Sequence, residues 1–290
     1  MLSILIVNWN TRELLRACLD SISAHPPSME FEVIVVDNAS TDGSAEMVRT
    51  SFPQVRLVAS PTNTGYARGN NLAFAEARGD QLLTLNPDTE FTDDSLDRAL
   101  AALDRDPKVG VLGVKQIGVD GRIQSSIRGF PTLRGIVGDL TGLGRRLGGR
   151  WDSYRLSRFD YDREQEAPQP MGTFLLFRRE ALEQLQSGGT LSPYDEGFPI
   201  FFNEVDLLYR LHCKGWKCLY VPSASILHHG GESTKQVRKS MIWESHKSLL
   251  RYLSKHHGTG LGRLGLPLLA AVVYAAAFVR AKGYHAGFRA

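Results

Sequence analysis

Short apolar runs alternate with amphipathic segments in the N-terminal part of the chain. The runs cover residues 2–7, 33–36, 55–58, 81–85 and 109–114. The run over residues 33–36 is unbroken, which is typical of a strand in a sheet that helices cover on both faces. Between the runs, apolar residues recur every three or four positions, as amphipathic helices require. The alternation predicts an α/β fold with a mostly parallel central sheet, flanked by helices and joined by right-handed crossovers.

The pattern becomes less regular in the middle of the chain. Residues 128–168 are rich in Gly, Arg, Asp and Tyr and show little periodicity. They are predicted to form long loops and short helices over the ligand-binding edge of the sheet, because loops of this length in a compact domain are usually functional or disordered. Regular spacing returns in a strand over residues 171–178, a helix over Asn203–Cys213 and a last strand over residues 216–221.

The C-terminal segment combines an apolar run with basic flanks. Residues 264–279 are apolar apart from an interruption at Pro267, and the run is shorter than the roughly 20 residues that a membrane-spanning helix needs. The basic residues around it are Lys235, Arg238, Lys239, Lys247, Arg251, Lys255, Arg263, Arg280 and Lys282. This pattern favours a helix that lies on an anionic membrane surface. A buried helix or a dimer interface is the alternative.

Length and composition are those of an ordinary globular protein. The chain has 290 residues, of which 42% are hydrophobic and 22% charged, so it can bury a sizeable core. We expect one domain over residues 1–240 and a helical appendage over residues 241–290. The 34 basic and 31 acidic residues are too balanced to indicate nucleic-acid binding.

The sequence favours a cytoplasmic location. Its three cysteines are odd in number and have no metal-type spacing, which argues against a disulfide framework and fits a reducing compartment. The first apolar run is too short for a signal sequence and has no basic start. We therefore expect a cytoplasmic protein that its C-terminal segment holds against the inner face of the cell membrane.

Two carboxylates directly follow predicted strands. Asp37 ends one apolar run, and Asp88 follows another in the sequence Asn-Pro-Asp. Ligands of open α/β sheets bind just beyond the carboxyl ends of the strands, where Asp37 would contact a nucleoside. Asp88 would hold a divalent cation that bridges a diphosphate, because Mg²⁺ and Mn²⁺ prefer oxygen ligands. Both residues also fit ordinary turn chemistry, so both interpretations stay open.

Residues 63–71 join a strand to a helix and contain two glycines, an arginine and several asparagines. Backbone N–H groups at a helix start favour phosphate oxygens, and Arg68 would add a charge-assisted contact. The segment lacks the glycine spacing of the dinucleotide fingerprint. Gly and Asn are also common in loops that bind nothing.

Glu204 and Asp206 lie in the first turn of the helix predicted over Asn203–Cys213. Residues 198–202 precede them and include three phenylalanines. A carboxylate beside an aromatic wall is partly desolvated, which raises its pKa and makes it a better proton acceptor. The two side chains point to different faces of the helix, so we expect only one to be catalytic. Helix starts also attract acidic residues that have no catalytic role.

Two histidines, His228 and His229, follow a short apolar run that ends at Leu227. Neighbouring side chains on a strand point to opposite faces, so both cannot easily bind one ion. One of them is a candidate second ligand for a cation at Asp88. The alternative is a structural histidine.

Taken together, these segments resemble glycosyltransferase family 2, the inverting enzymes of the GT-A fold, and within it the bacterial rhamnosyltransferase-like branch. The match follows the family's order through residues 1–240. The segments that carry it are residues 6–10, 35–44, 63–71, 85–89, 204–207 and 228–233. The resemblance implies a Rossmann-like, mostly parallel central sheet flanked by helices, followed here by the C-terminal helical appendage.

The resemblance implies a donor site for a nucleotide sugar. Asn8 and Asp37 would contact the nucleoside, and the loop over residues 65–70 would lie along the nucleotide. An asparagine takes the first acidic position of the family's metal motif, as is common in this branch. The residues expected at the donor are Asn8, Asp37, Gly65, Arg68, Asn70 and Asn86.

The resemblance also assigns a metal site and a base. Asp88 would bind Mg²⁺ or Mn²⁺ together with His228, or alternatively with His229. Glu204 matches the base in the family's Glu-Asp pair. An asparagine replaces the first acid of that pair here, which keeps Asp206 as the alternative base.

The implied activity is metal-dependent, inverting transfer of a sugar from a nucleotide to a hydroxyl group of a glycan or a lipid-linked acceptor in cell-envelope polysaccharide synthesis. The resemblance favours dTDP-rhamnose as the donor and leaves UDP- and GDP-sugars open. Because of the asparagine at 203, a non-catalytic nucleotide-sugar-binding module is one alternative. A nucleotidyltransferase is another, although residues 8–12 do not supply the phosphate loop it would need. The oligomeric state, including a homo-oligomer, stays open.

Overall fold

A computed structural model describes residues 1–186, 188–230, 238–258 and 262–282. The strands are β1 (Leu2–Asn8), β2 (Phe31–Asp37), β3 (Arg56–Ala59), β4 (Gln81–Leu85), β5 (Thr89–Glu90), β6 (Val109–Gly118), β7 (Ile127–Arg128), β8 (Gln165–Glu166), β9 (Gln169–Pro170), β10 (Phe174–Arg178) and β11 (Lys217–His228). The helices are α1 (Arg12–Ala24), α2 (Ser44–Ser51), α3 (Tyr66–Glu76), α4 (Ser95–Arg105), α5 (Leu133–Thr141), α6 (Leu143–Leu147), α7 (Arg179–Glu183), α8 (Asn203–Cys213), α9 (Arg238–His257) and α10 (Gly262–Ala281).

In the described part of the chain, nine strands form the main sheet. Its order is β3-β2-β1-β4-β10-β6-β11-β5, and β8 pairs with β11. The pairs among β1, β2, β3 and β4 are parallel, as is the pair of β6 and β11, whereas β10 runs antiparallel to both of its neighbours. The predicted α/β fold with a mostly parallel central sheet is confirmed.

Helices cover both faces of this sheet. α1, α2 and α4 pack on one face through side chains such as Leu15, Val48 and Leu100. α3 and α8 pack on the other face through Phe74 and Leu208. The central strands β1, β2 and β4 are therefore buried on both sides, which explains their mostly apolar sequences.

Two predicted strands differ in length from the observed ones, and the strand predicted over residues 171–178 is the shorter β10 (Phe174–Arg178). The strand predicted over residues 216–221 is the first part of the longer β11, which continues after a register shift between Val221 and Ser225. Pro222 lies in that irregularity and has no N–H group to donate to a neighbouring strand. Residues 128–168 contain α5, α6, a 3-10 helix and short strands, in agreement with the predicted loops and short helices.

A third apolar cluster joins the C-terminal helices to the sheet domain. Tyr252 of α9 and Val273 of α10 pack with Phe202 at the start of α8. His257 of α9 contacts the carbonyl oxygen of Pro131 at 3.0 Å. α9 and α10 thus pack against the element that carries the candidate base. The domain boundary near residue 240 stays a prediction.

α10 is buried along one side only. Leu269 and Val273 are almost inaccessible, whereas Val272 and Phe278 are 49% and 51% exposed. Within the described residues, we find no helix with both the length and the apolar character that crossing a bilayer requires. One side of α10 is therefore a buried helix face, and the other is an apolar surface.

Candidate active site

The carboxyl ends of β1 and β2 hold Asp37 in a fixed position. Asn8 and Asp37 are register partners on these parallel strands. The Asn8 amide N–H group donates to Asp37 Oδ1 (3.0 Å) and to Ser40 Oγ (3.2 Å). The Ser40 backbone N–H group donates to Asp37 Oδ2 (3.0 Å). Asn8 is fully buried, so its side chain holds Asp37, and a direct donor contact through Asn8 stays a prediction.

The residue after Asp37 fixes the loop before α3. The Asn38 amide N–H group donates to Asn63 Oδ1 (3.0 Å) and to the Gly65 carbonyl oxygen (3.1 Å). Asn38 Oδ1 accepts a hydrogen bond from the Thr64 backbone N–H group (2.9 Å). Sequence reasoning did not place Asn38 in the site. Its only signal was its position next to the strand-ending aspartate.

The start of α3 differs from the expected phosphate site. The backbone N–H groups of Tyr66 and Ala67 both donate to the Pro199 carbonyl oxygen, at 2.6 and 3.1 Å. A Cβ atom on Gly65, which has φ +85°, would lie only 2.8 Å from that oxygen. Because the protein itself occupies these N–H groups, the expected phosphate contact at this helix start is wrong for Tyr66 and Ala67.

The other two loop residues have different surroundings. Asn70 is buried and donates its amide N–H group to the Tyr66 carbonyl oxygen (2.9 Å). Arg68 is exposed and lies 3.9 Å from Glu196. Arg68 therefore presents an accessible positive charge to a ligand, whereas Asn70 is neutral and buried.

Tyr66 connects the end of β4 with the surroundings of Glu204. Its hydroxyl group donates to Asn86 Oδ1 (3.0 Å) and lies 3.4 Å from the Gly172 carbonyl oxygen. A Cβ atom on Gly172 would lie 3.5 Å from Glu204 Cγ, which is ordinary contact distance. This contact brings Asn86 and Glu204 to the same edge of the sheet.

Asp88 and His228 lie side by side because β5 pairs with β11. His228 Nε2 is 3.5 Å from Asp88 Oδ2. Gln124 contacts the same histidine twice: its Oε1 lies 2.7 Å from His228 Nδ1, and its amide N–H group donates to the His228 carbonyl oxygen (3.0 Å). His229 Nε2 instead lies 2.6 Å from Glu90 Oε1.

This pair of side chains fits a divalent cation. A carboxylate oxygen and an imidazole nitrogen suit Mn²⁺, and Mg²⁺ also binds through one or two carboxylates plus substrate phosphates. No cluster of three or more His, Cys, Asp and Glu side chains with metal-site geometry occurs within the described ranges. A cation held by Asp88 and His228 would therefore take its other ligands from substrate and water. The segment 228–233 is one of those that resemble the family, and its residues 231–233 lie outside the described residues.

Asp206 is engaged in a buried ionic network between α8 and α9. Its carboxylate lies 2.8 Å from Arg210 Nε, 2.7 Å from Lys255 Nζ and 2.7 Å from His256 Nε2. Burial alone would raise its pKa. The hydrogen bond with His256 and the charges of Arg210 and Lys255 outweigh burial and lower the pKa of Asp206 to about 2.

Glu204 has the opposite surroundings. It is partly buried, and burial raises its pKa to about 7. Among the residues that the structure describes, no Lys, Arg or His forms an ion pair with it. A carboxylate that exchanges its proton near neutral pH is suited to general-base chemistry.

Comparison with known proteins identifies the family. The model of the family described as Glycosyl transferase family 2 matches residues 3–186. The N-acetylglucosaminyl-diphospho-decaprenol L-rhamnosyltransferase of Mycobacterium tuberculosis is 33% identical over 243 residues, covering 78% of this chain and 75% of that protein. This chain belongs to glycosyltransferase family 2. It is accordingly an enzyme, a glycosyltransferase.

Solved structures show the fold of this glycosyltransferase. The mannosyltransferase PcManGT from Pyrobaculum calidifontis, in complex with GDP-Man and Mn²⁺, covers 98% of this chain and 76% of its own, with a TM-score of 0.59 and 19% identity. S. aureus TarS 1–349 covers 95% of this chain and 80% of its own, with a TM-score of 0.56 and 18% identity. At these identities the likeness shows the fold alone. The predicted GT-A fold is confirmed.

The structure brings most of the predicted site residues of this glycosyltransferase together. Asp37 adjoins the residue that fixes the loop before α3, and Tyr66 at the start of α3 reaches both Asn86 and the neighbour of Glu204. Asp88 follows Asn86 by two residues and lies against the end of β11. Asp206 is the exception, since its carboxylate contacts α9.

Proposed function

We propose that this glycosyltransferase moves a sugar from a nucleotide to a hydroxyl group of a glycan or lipid-linked acceptor in cell-envelope polysaccharide synthesis. Rhamnose from dTDP-rhamnose is the first candidate, because the relative with 33% identity is named as an L-rhamnosyltransferase. The observation that carries the proposal is a carboxylate with a pKa of about 7, Glu204, at the same sheet edge as Asp88 and His228.

The donor would lie across the ends of β1, β2 and β4. Asp37 contacts the nucleoside, and Asn8 keeps the Asp37 carboxylate in place. The loop from Gly65 lies along the nucleotide, with Arg68 as its accessible positive charge. Asn86, held by the Tyr66 hydroxyl group, completes this side.

Asp88 and His228 would hold Mg²⁺ or Mn²⁺ together with the diphosphate of the donor. When bound, the cation supplies charge stabilisation for the leaving nucleoside diphosphate. Gln124 orients His228 so that its Nε2 atom faces Asp88. The pairing of His229 with Glu90 favours His228 as the ligand.

Glu204 would act as the base. It accepts the proton of the acceptor hydroxyl group while that oxygen bonds to the sugar C1 on the face opposite the leaving diphosphate. The C1–oxygen bond to the diphosphate breaks in the same step, so the anomeric centre is inverted without a covalent intermediate. Asp206 keeps its charge within its ionic network and positions α8.

The C-terminal helices support a peripheral membrane contact on the inner face of the cell membrane. Val272, Tyr274 and Phe278 of α10 and Trp243 of α9 are at least 40% exposed, and such apolar and aromatic side chains suit the boundary of a bilayer. In a flotation assay, the full chain should rise with anionic liposomes. A chain truncated after residue 258 should stay at the bottom of the gradient. Light scattering tests the alternative, a homo-oligomer that covers this face.

A panel of nucleotide sugars tests the proposed activity. The protein is incubated with dTDP-rhamnose and with UDP- and GDP-sugars in the presence of Mn²⁺, and release of the nucleoside diphosphate is measured with and without a glycan acceptor. We expect acceptor-stimulated release that is fastest with dTDP-rhamnose. Binding without any turnover would instead indicate a non-catalytic module. In a parallel assay with a nucleoside triphosphate and a sugar phosphate, release of pyrophosphate as the nucleotidyl group joins the sugar phosphate would indicate a nucleotidyltransferase.

A further inference from the structure

Residues 128–158, the arginine segment, carry an excess of positive charge. The segment contains seven arginines and two aspartates and has no lysine or glutamate. Its net charge of +5 exceeds the net charge of +3 of the whole chain, so the remainder of the chain is slightly acidic. Such a concentration of guanidinium groups favours an anionic partner.

Most of the described arginines of this segment form no ion pair with an acidic side chain. Arg155 pairs with Asp139, and the Asp152 carboxylate accepts hydrogen bonds from Ser157. By contrast, most of the described arginines outside the segment form ion pairs with acidic side chains. Within the described residues, no ion pair is formed by Arg128, Arg134, Arg146, Arg150 or Arg158.

The arginine segment begins beside the candidate base. β7, which ends with Arg128, pairs with β9. Met171 follows β9 and donates its backbone N–H group to the Ser126 carbonyl oxygen (2.9 Å). The next residue is Gly172, on which a Cβ atom would lie 3.5 Å from Glu204 Cγ. One short strand pair therefore connects Arg128 with the surroundings of Glu204.

Buried side chains fix the segment on the start of α8. Ile136 and Tyr154 are buried in the cluster that contains Phe202. The Phe130 ring makes an edge contact with the Tyr209 ring of α8, at 5.2 Å between centroids. The segment is thus packed on the helix that carries the base.

Tyr154 also shows that Arg128 and Glu204 share one neighbourhood. Its backbone carbonyl oxygen accepts a hydrogen bond from the Gly129 N–H group (2.8 Å). Burial raises the pKa of the Tyr154 hydroxyl group, the positive charge of Arg128 opposes that rise, and the negative charge of Glu204 adds to it. Arg128 and Glu204 are therefore both close enough to Tyr154 for their charges to act on its hydroxyl group.

We propose that the arginine segment binds the phosphate groups of the acceptor. The acceptor would be a sugar carried on a diphosphate, as is the N-acetylglucosaminyl-diphospho-decaprenol in the name of the relative with 33% identity. This inference rests on the proposed function. Glu204 takes its proton from the acceptor, so a positive surface beside Glu204 contacts the acceptor, whereas the donor diphosphate lies at Asp88 and His228. Guanidinium groups bind phosphate oxygens through paired, charge-assisted hydrogen bonds.

Two acceptor analogues with the same sugar test the proposal. One carries N-acetylglucosamine on a diphosphate with a short alkyl chain, and the other is the uncharged alkyl glycoside of N-acetylglucosamine. The ratio of their kcat/KM values is measured in detergent without lipid vesicles, for the wild type, Arg128→Gln, Arg128→Lys and Arg49→Gln. Arg49 is the control, because it is an exposed arginine of α2, outside the segment.

The wild type should prefer the diphosphate analogue about tenfold or more, as expected for a charge-assisted contact. Arg128→Gln should lower the ratio about tenfold, Arg128→Lys should retain part of it, and Arg49→Gln should keep it. A wild-type ratio near one, an equal loss with both analogues, or an effect only on binding to anionic vesicles would overturn the proposal. Absence of transfer to either analogue would instead overturn the proposed function.

Discussion

At the scale of single residues, the fold gives two neighbouring acids opposite properties. Asp206 is ionised, because its basic partners in the buried network lower its pKa to about 2. Burial instead raises the pKa of Glu204 to about 7. The aromatic residues before α8 allowed the sequence to predict a raised pKa for one acid. The choice between the two depends on Lys255 and His256, about 50 positions further along the chain, and local sequence does not contain that information.

The pH dependence of transfer tests the role of Glu204. Only the ionised carboxylate accepts a proton, so kcat/KM for the acceptor should rise with pH through about 7 and level off above it. The measurement is the initial rate between pH 5.5 and 8.5 at saturating donor and limiting acceptor. A rate that is flat over this interval, with the protein folded throughout, would be inconsistent with Glu204 as the base.

The network around Asp206 predicts a loss of stability in Asp206→Asn. Removing this charge leaves Arg210 and Lys255 without their buried partner, so the free energy of unfolding should fall by about 3 kcal/mol. The folded-state pKa of Asp206 lies below its ordinary value, so its contribution is present above about pH 4 and is lost as pH falls towards 2. Chemical denaturation at pH 7 measures the effect, and an unchanged midpoint would contradict it.

At the scale of elements, apolar patterning predicted the positions of strands and helices well. β4 and α8 have the predicted bounds, because a strand buried on both faces is a short, mostly apolar run and an amphipathic helix has a clear period. The antiparallel direction of β10 was not predicted, since an apolar run contains no information on strand direction. Gln124 was missed as well, because it lies 104 residues from His228 and reaches it only through the pairing of β6 with β11.

The position of Gln124 predicts an effect on metal binding. Gln124→Leu removes the hydrogen bond at His228 Nδ1 and should weaken Mn²⁺ binding roughly tenfold or more, because partners of a metal-binding histidine orient its ring. Calorimetric titration with Mn²⁺ in the presence of the nucleoside diphosphate measures the affinity. His229→Ala is the control and should bind Mn²⁺ normally. Equal affinities in all three proteins would rule out His228 as the ligand that Gln124 orients.

At the scale of the whole molecule, the ends of separate strands bring the site together. The sequence placed Asp37 and Asp88 directly after predicted strands, where ligands of open α/β sheets bind, and His228 was a candidate second ligand for a cation at Asp88. The sequence did not predict the contact of Tyr66 with Gly172 or the occupied N–H groups at the start of α3, because both depend on residues more than 100 positions away. The packing of α9 against α8 was equally hidden from local patterns.

Metal-dependent donor binding follows from this assembly. Asp88→Ala should remove the part of donor affinity that Mn²⁺ adds, because it deletes the carboxylate ligand. Calorimetry with the nucleotide sugar, with and without Mn²⁺, gives that difference for the wild type and for the variant. Glu90→Gln, a change at the neighbouring carboxylate of β5, is the matched control. A variant whose donor affinity still increases with Mn²⁺ would place the metal elsewhere.

The central claim is that Glu204 accepts the proton of the acceptor at a site that binds the donor independently of it. The most direct test compares Glu204→Gln with the wild type in sugar transfer and in donor binding, both with saturating Mn²⁺. We expect transfer to fall roughly 10²- to 10⁴-fold while donor affinity is unchanged. Transfer at the wild-type rate by Glu204→Gln would contradict the claim.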